Sequence, residues 1–255
     1  MIPAANILQP LIDVANGVLQ FFHDNVGLSW GMSIIALTIV TRAVLIPLTY
    51  KQLKGMRALQ ALQPQIKELQ EKYKNDKQRM QQEMMRFYKE NKVNPFASCI
   101  PLLAQLPVFI TLFYVLRHEL PPDMGCPAAG HCAAYGAEFF FIDDLTAKAS
   151  GSELIVLLVL YVGTQLISGM VMSLTADKSQ RTMMFLLPLI FVPFILNFPA
   201  GLILYWITTN IWTIGQQFVI QRVVPVPVVA TPEGAAAAVA AKPPPPPPRK
   251  KKKRR

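Results

Sequence analysis

What this 255-residue chain lacks is carboxylate where its apolar residues gather: no long apolar stretch holds an Asp or Glu in its interior. Charge is scarce throughout. Charged residues make up 16% against 52% hydrophobic, and mean hydropathy is +0.33, which disfavours a soluble domain and fits a polytopic membrane protein. Histidine is nearly absent too. His23, His118 and His131 all lie outside the apolar stretches, which excludes an intramembrane Ser/His hydrolase. With no paired intramembrane carboxylates, Gly-rich phosphate loop or H-E-x-x-H, no enzyme, cofactor or metal site is expected. Of three cysteines, Cys99 opens an apolar stretch and reads as inert packing. Cys126 and Cys132, with His131 beside them, are too few donors for a convincing metal site; in an exported, oxidising loop they read as a local disulfide. The start of the chain has no basic segment leading into a short apolar core and a small-residue cleavage site, so a cleaved signal peptide is not expected.

Five stretches are long and apolar enough to be read as spans: Trp30–Tyr50, Cys99–Arg117, Leu154–Leu174, Met183–Phe198 and Gly201–Ile220. The fourth is short and carries Pro188 and Pro193, which a cavity-lining helix tolerates. The tight link Asn197-Phe198-Pro199-Ala200 predicts that the fourth and fifth form an antiparallel hairpin. Between Lys51 and Ser98 eleven basic residues stand against five acidic ones, whereas 117–153 holds six acidic and two basic. That bias predicts a cytoplasmic 51–95, an external 118–153, an N-terminus outside and a C-terminus inside.

The segments around the spans have their own signatures. Residues 1–28 repeat Ile7, Leu8, Leu11, Ile12, Val18, Leu19 and Phe22 at helical spacing, predicting an amphipathic helix on the outer leaflet. In 51–95, Leu59, Leu62, Ile66, Leu69 and Tyr73 form one coiled-coil-like seam; Met80, Met84, Phe87 and Asn91 form another. Asn75-Asp76 turns the chain between them and Pro64 breaks or restarts the first helix, giving a helical hairpin that reads as a spacer or as a docking arm. The formal net charge of +10 is concentrated in this hairpin and in the tail 223–255, a disordered segment by composition. There Pro243–Pro248 form a stiff spacer before Arg249, Lys250, Lys251, Lys252, Lys253, Arg254 and Arg255. Such a run binds polyanions, either ribosomal RNA or anionic lipid headgroups.

Arg42 sits deep in the first stretch. A guanidinium cannot shed its proton, and at that depth it costs roughly 2.5–3.5 kcal/mol on insertion scales. Thr38 lies one turn before it and Thr41 beside it. Other stretches add Gln105, Thr164, Gln165, Ser168, Tyr205, Trp206, Thr208, Thr209, Asn210 and Gln216. One such residue is ordinarily a helix–helix hydrogen bond. Together around an arginine they predict a hydrated pocket whose missing negative charge arrives with the substrate.

Four ordered segments carry a family resemblance. S-I-I-A-L-T-I-V-T-R (33–42), D-K-Q-R-M-Q-Q-E-M-M-R-F-Y-K (76–89), V-N-P-F-A-S-C-I-P-L-L-A-Q-L-P-V-F (93–109) and F-P-A-G-L-I-L-Y-W-I-T-T-N (198–210) resemble the YidC/mitochondrial oxidase-assembly/chloroplast membrane-protein insertases, in the bacterial form without a large external domain. The resemblance covers roughly residues 20–222. It implies an all-α membrane protein of the bacterial inner (plasma) membrane, with five transmembrane helices (29–222) around a polar groove open to cytoplasm and lipid. It also implies an N-terminal interfacial helix and a cytoplasmic antiparallel helical hairpin. The family's groove arginine falls on Arg42, its polar position one turn earlier on Thr38, and its aromatic pair on Tyr205 and Trp206; Gln105 and Gln165 also carry over. The implied activity is membrane-protein insertion and assembly, with nascent membrane proteins as substrates and the ribosome, a Sec translocon and anionic lipids as candidate partners. Two rivals belong to other classes: an anion channel or transporter built on the buried arginine, and a pure folding scaffold, which would survive loss of Arg42. An odd number of spans, no evident inverted repeat and the large hairpin disfavour a transporter.

Overall fold

The computed structural model describes residues 3–94, 100–173 and 178–223; Cys99, Pro243–Pro248 and the basic run Arg249–Arg255 lie outside the described residues. Ten α-helices follow in order: α1 Pro3–Gln20, α2 Trp30–Val44, α3 Ile46–Ala61, α4 Gln63–Lys72, α5 Lys77–Glu90, α6 Ile100–Tyr114, α7 Leu120–Asp123, α8 Gly151–Ser173, α9 Lys178–Ile195 and α10 Ala200–Val223. Two isolated bridges, Phe139 with Ile142 and Lys148 with Pro199, are the only β-type pairing among the described residues. Helix α10 is the hub, packing on α8, α2 and α6.

By length and composition, Gly151–Val171 alone among the described residues suffices to cross a membrane, and Trp30–Val44 with Ile46–Gln52 passes as a pair bent by 55°. The first expected span is therefore a broken helix. Pro47 cannot donate to the carbonyl of Ala43, and its ring crowds that oxygen, so the helix bends at Leu45. Polar residues dilute two other candidates, since Lys178 and Arg181 open α9 and Thr208, Thr209, Asn210, Gln216 and Gln217 punctuate α10, while α6 runs only 15 residues before a π-helical turn at Val115–Glu119.

The expected pairing of the fourth and fifth spans is corrected. A tight turn does join α9 to α10, with the Phe198 N–H donating to Ile195 at 3.0 Å. Yet the packing partner of α9 is α8. Leu186, Leu189, Ile190, Phe191 and Phe194 are left exposed along α9. A short link fixes where two helices meet, not which faces they share.

Helix α1 uses its pattern on two sides. Ile12 and Leu19 are buried against the bundle with Leu8, Ala15 and Val18 beside them, whereas Leu11, Val14 and Phe21 stay exposed. It packs on α6 and α2, and Asn16 Nδ2 donates to Asp123 Oδ2 at 2.9 Å. In the hairpin, the chain restarts at Gln63 with Pro64 in the first turn of α4. Asp76 caps α5 by accepting from the Arg79 N–H at 3.0 Å. Only Leu62 and Ile66 of its seams are buried. Asn91 is no seam residue: it is exposed, and its Nδ2 donates to the Phe87 carbonyl at 2.9 Å.

The connection from α7 to α8 is a folded cap. Phe139, Ile142, Leu145 and Ala149 join the main core. The Gly201 N–H donates to the Leu145 carbonyl at 2.9 Å and the Ala200 N–H to Ala147 at 2.7 Å, which pins the cap to the start of α10. Cys126 and Cys132 form a disulfide, with Cα atoms 5.4 Å apart, packed against Ala137 and Met124.

Candidate intramembrane polar site

Helix α2 brings Arg42 into its last turn, where the bend at Leu45 ends the helix. A cation there meets the partly negative carbonyl end of α2, a favourable contact of about 0.3–1 kcal/mol. This partial compensation follows from the bend, which the Pro47 position signals. Arg42 makes no ion pair or side-chain hydrogen bond with any described residue; the ion pair among the described residues is Arg86 with Glu90, on the exposed face of α5. Tyr205 of α10 lies within electrostatic reach of the guanidinium.

Six threonines satisfy themselves. Thr38, Thr41, Thr49, Thr164, Thr208 and Thr213 each donate to the carbonyl four residues earlier, at 2.6–2.9 Å. Thr38 is thus buried beside Arg42 with its donor already used. Between α10 and α8, Asn210 Nδ2 donates to Thr164 Oγ1 at 3.2 Å. Other groups have no partner: Gln105 Nε2, Thr111 Oγ1, Tyr205 Oη, Thr209 Oγ1 and Gln216 Nε2 are buried without a hydrogen bond. The Tyr205 and Thr209 hydroxyls lie near one another, one turn apart, without meeting hydrogen-bond geometry. Each such group costs about 1–3 kcal/mol if it stays unsatisfied, so α6 and α10 together present an unusual density of waiting polar atoms.

The expected site residues divide accordingly. Thr41 and Tyr205 line one cavity. Trp206 packs into an aromatic cluster, stacked on Phe109 at 5.1 Å and edge-on to Phe198 at 5.9 Å. Gln165 is half-buried on α8 and makes no hydrogen bond with a described residue. Thr111 escaped the sequence reading, because nothing in its apolar surroundings distinguishes it from threonines that bond back to their own helix.

Relatives complete the picture. The chain is 37% identical over 234 residues to the Membrane protein insertase YidC of Streptomyces avermitilis, covering 82% of this chain and 55% of that protein. It is 40% identical over 218 residues to the protein of the same name from Mannheimia succiniciproducens, covering 85% and 37%. It therefore spans about a third to a half of the length of such relatives. A crystal structure described as an active YidC insertase with the first transmembrane domain resolved shares the fold, with TM-score 0.62 and 24% identity over 87% of this chain and 47% of that one. The family model of the 60Kd inner membrane protein matches residues 21–226, so the bent α2 with its Arg42 and the capped bundle belong to a member of the YidC family of membrane proteins.

Proposed function

We propose that this protein inserts and assembles other membrane proteins, taking acidic or polar N-terminal segments of nascent chains to Arg42 and releasing their apolar helices sideways into lipid. The observation that carries the reading is Arg42 itself: a cation in the bundle with no anionic partner among the described residues. An acidic segment supplies that partner. Gln105, Tyr205 and Thr209, buried with unused polar atoms, offer hydrogen bonds to the same segment. Thr38, Thr41, Gln165, Trp206 and Asn210 complete the proposed groove. The apolar part of the substrate then partitions into the bilayer by burial of its side chains. No covalent step is involved, so the protein acts as an insertase and assembly chaperone rather than an enzyme.

The orientation is proposed from charge: the hairpin and the basic tail face the cytoplasm, the disulfide-bearing cap faces outward. A membrane potential positive outside then draws an acidic segment outward with ~2.3 kcal/mol per charge per 100 mV. The tail Arg249–Arg255 is proposed to hold ribosomal RNA or anionic headgroups near the membrane.

The test is insertion by purified protein in liposomes, read by protease protection of an acidic-tailed, single-span substrate. Arg42→Ala is expected to lower protection about tenfold or more, the scale of one charge-assisted contact. Arg42→Lys should retain part of it, and a substrate with a neutral tail should be less affected. Equal insertion by all three proteins would remove the arginine from the mechanism.

A further inference from the structure

The cap between α7 and α8 carries a turn that is unfavourable in two ways at once. The Phe139 and Ile142 backbones exchange both hydrogen bonds at 2.8 Å, leaving Phe140 and Phe141 as a two-residue turn. Phe140 holds φ at 52°, in the left-handed region that favours glycine. It is also 90% exposed, more than any other large apolar residue among those described, and Phe141 is 43% exposed. Inside the chain the Phe140 ring meets its neighbour Phe139 edge-on at 4.6 Å, which leaves most of its surface bare. A bulky residue held at positive φ without a use in the fold points to a partner outside the chain.

Contacts on either side fix the level of this turn. Phe139 lies against Gly31 in the first turn of α2. The Asp143 N–H donates to Glu153 Oε2, in the first turn of α8, at 3.4 Å. Among the described residues, α8 and the bent pair of α2 with α3 are the segments long and apolar enough to cross a membrane. The turn is therefore tied to the place where both enter the bilayer from the cap side, within one helical turn of about 5 Å. Just below Glu153, Ile155 and Val159 open the exposed apolar side of α8.

We propose that the Phe140–Phe141 turn is a membrane anchor, dipping its rings into zwitterionic phospholipid at the cap end of the bundle. The rings stand at the bilayer boundary, where aromatic side chains of membrane proteins gather. A polypeptide partner fits less well, because the pairing is a single isolated bridge and offers no strand edge on which a chain could lie. Charge selects the headgroup. Glu138 and Asp143, both exposed, flank the rings and repel anionic lipid. Moving the rings out of water offsets the cost of the turn. The anchor would hold the cap, and with it the starts of α2 and α8, at a fixed depth.

The experiment uses the full chain in phosphatidylcholine nanodiscs, with trifluoromethyl-phenylalanine replacing Phe140 and fluorine NMR as the readout. Dissolved oxygen concentrates in the bilayer, whereas a gadolinium chelate stays in water. The ratio of their relaxation effects should be severalfold higher at position 140 than for the free amino acid in buffer, and close to that of the same label at Val159. Adding phosphatidylglycerol should lower the ratio, and Glu138→Gln with Asp143→Asn should remove that response. Phe140→Asn installs a residue that tolerates positive φ but has no affinity for lipid. Hydrogen exchange over 138–143 should then quicken severalfold, while Phe140→Trp stays near wild type. Unchanged or slower exchange in Phe140→Asn, as relief of a merely strained turn would give, overturns the anchor. So does a label as open to the chelate as the free amino acid, or photo-cross-links from position 140 to polypeptide instead of lipid. A ratio indifferent to phosphatidylglycerol overturns the headgroup assignment.

Discussion

Gly201 and Asp144 show how closely single residues hold the cap to the bundle. A Cβ on Gly201 would meet the Leu145 carbonyl oxygen at 2.9 Å and a methyl of Leu116 at 3.1 Å, and one on Gly31 would run into the Phe139 ring. Backbone oxygen and a packed ring cannot retreat cheaply, so Gly201→Ala is expected to cost about 1–3 kcal/mol, the usual range for overpacking. Denaturation of the purified protein measures it; unchanged stability would mean that the cap floats free of α10. Asp144 is the polar counterpart. Buried at 6% exposure, it accepts from the Cys132 N–H at 2.8 Å and from both the N–H and the hydroxyl of Thr146, at 2.8 and 2.6 Å. Asp144→Ala removes all three acceptor contacts, and bonds to a charged acceptor are worth about 1.5–3 kcal/mol each. Hydrogen exchange across 130–147 should accelerate strongly. Asp144→Asn keeps an acceptor oxygen for Thr146 and should accelerate it less.

Among the elements, α5 is the one whose stability depends most on local terms. It buries no residue, so its helicity leans on the Asp76 cap and on the seam with α4. Asp76→Ala is expected to cost about 1 kcal/mol of helix stability. That loss should appear as faster exchange over 77–90 with no change in α8 or α10; an effect that spread to the bundle would show the hairpin to be coupled to it. These elements also mark how far the amino-acid pattern reaches. The Asn75-Asp76 turn and the restart at Pro64 could be read directly, because capping and the missing proline N–H act within a few residues. The bend after Arg42 was signalled by Pro47 but hidden inside a continuous apolar run. The pairing of α9 with α8 was not legible, since apolar faces match many partners and a short link constrains only the ends. Trp206 could be placed on α10 from its pattern, but not in the cluster with Phe109, which comes from α6, far away in the chain, and with Phe198 of the turn before α10. Arg42 was legible for the opposite reason: a charge among apolar residues is conspicuous wherever the chain folds.

For the molecule as a whole, the cap gives the bundle two unlike ends. At one, Phe139 and Leu145 sit in the core above α2 and α10, the Lys148 Nζ donates to Asn197 Oδ1 at 3.3 Å, and α1 packs alongside. At the other, α2 leads through its bend into the exposed hairpin. An insertion mechanism that uses the membrane potential requires such asymmetry, because a groove open at both ends would let small ions dissipate the field that draws an acidic segment outward. Phe139 is the residue to test, since its ring lies on Gly31 near the start of α2 and can be removed without touching the polar residues around Arg42. Phe139→Ala is expected to destabilise the cap by up to about 3–5 kcal/mol, the range for a large aromatic truncated in a core. Proteoliposomes holding an imposed potential should keep it with wild type and lose it several times faster with Phe139→Ala. Insertion of an acidic-tailed substrate should fall in parallel, and a substrate with a neutral tail should insert as before. If the potential holds and insertion still falls equally for both substrates, the cap serves folding alone. If the potential collapses and acidic-tail insertion persists, Arg42 moves the segment without help from the field.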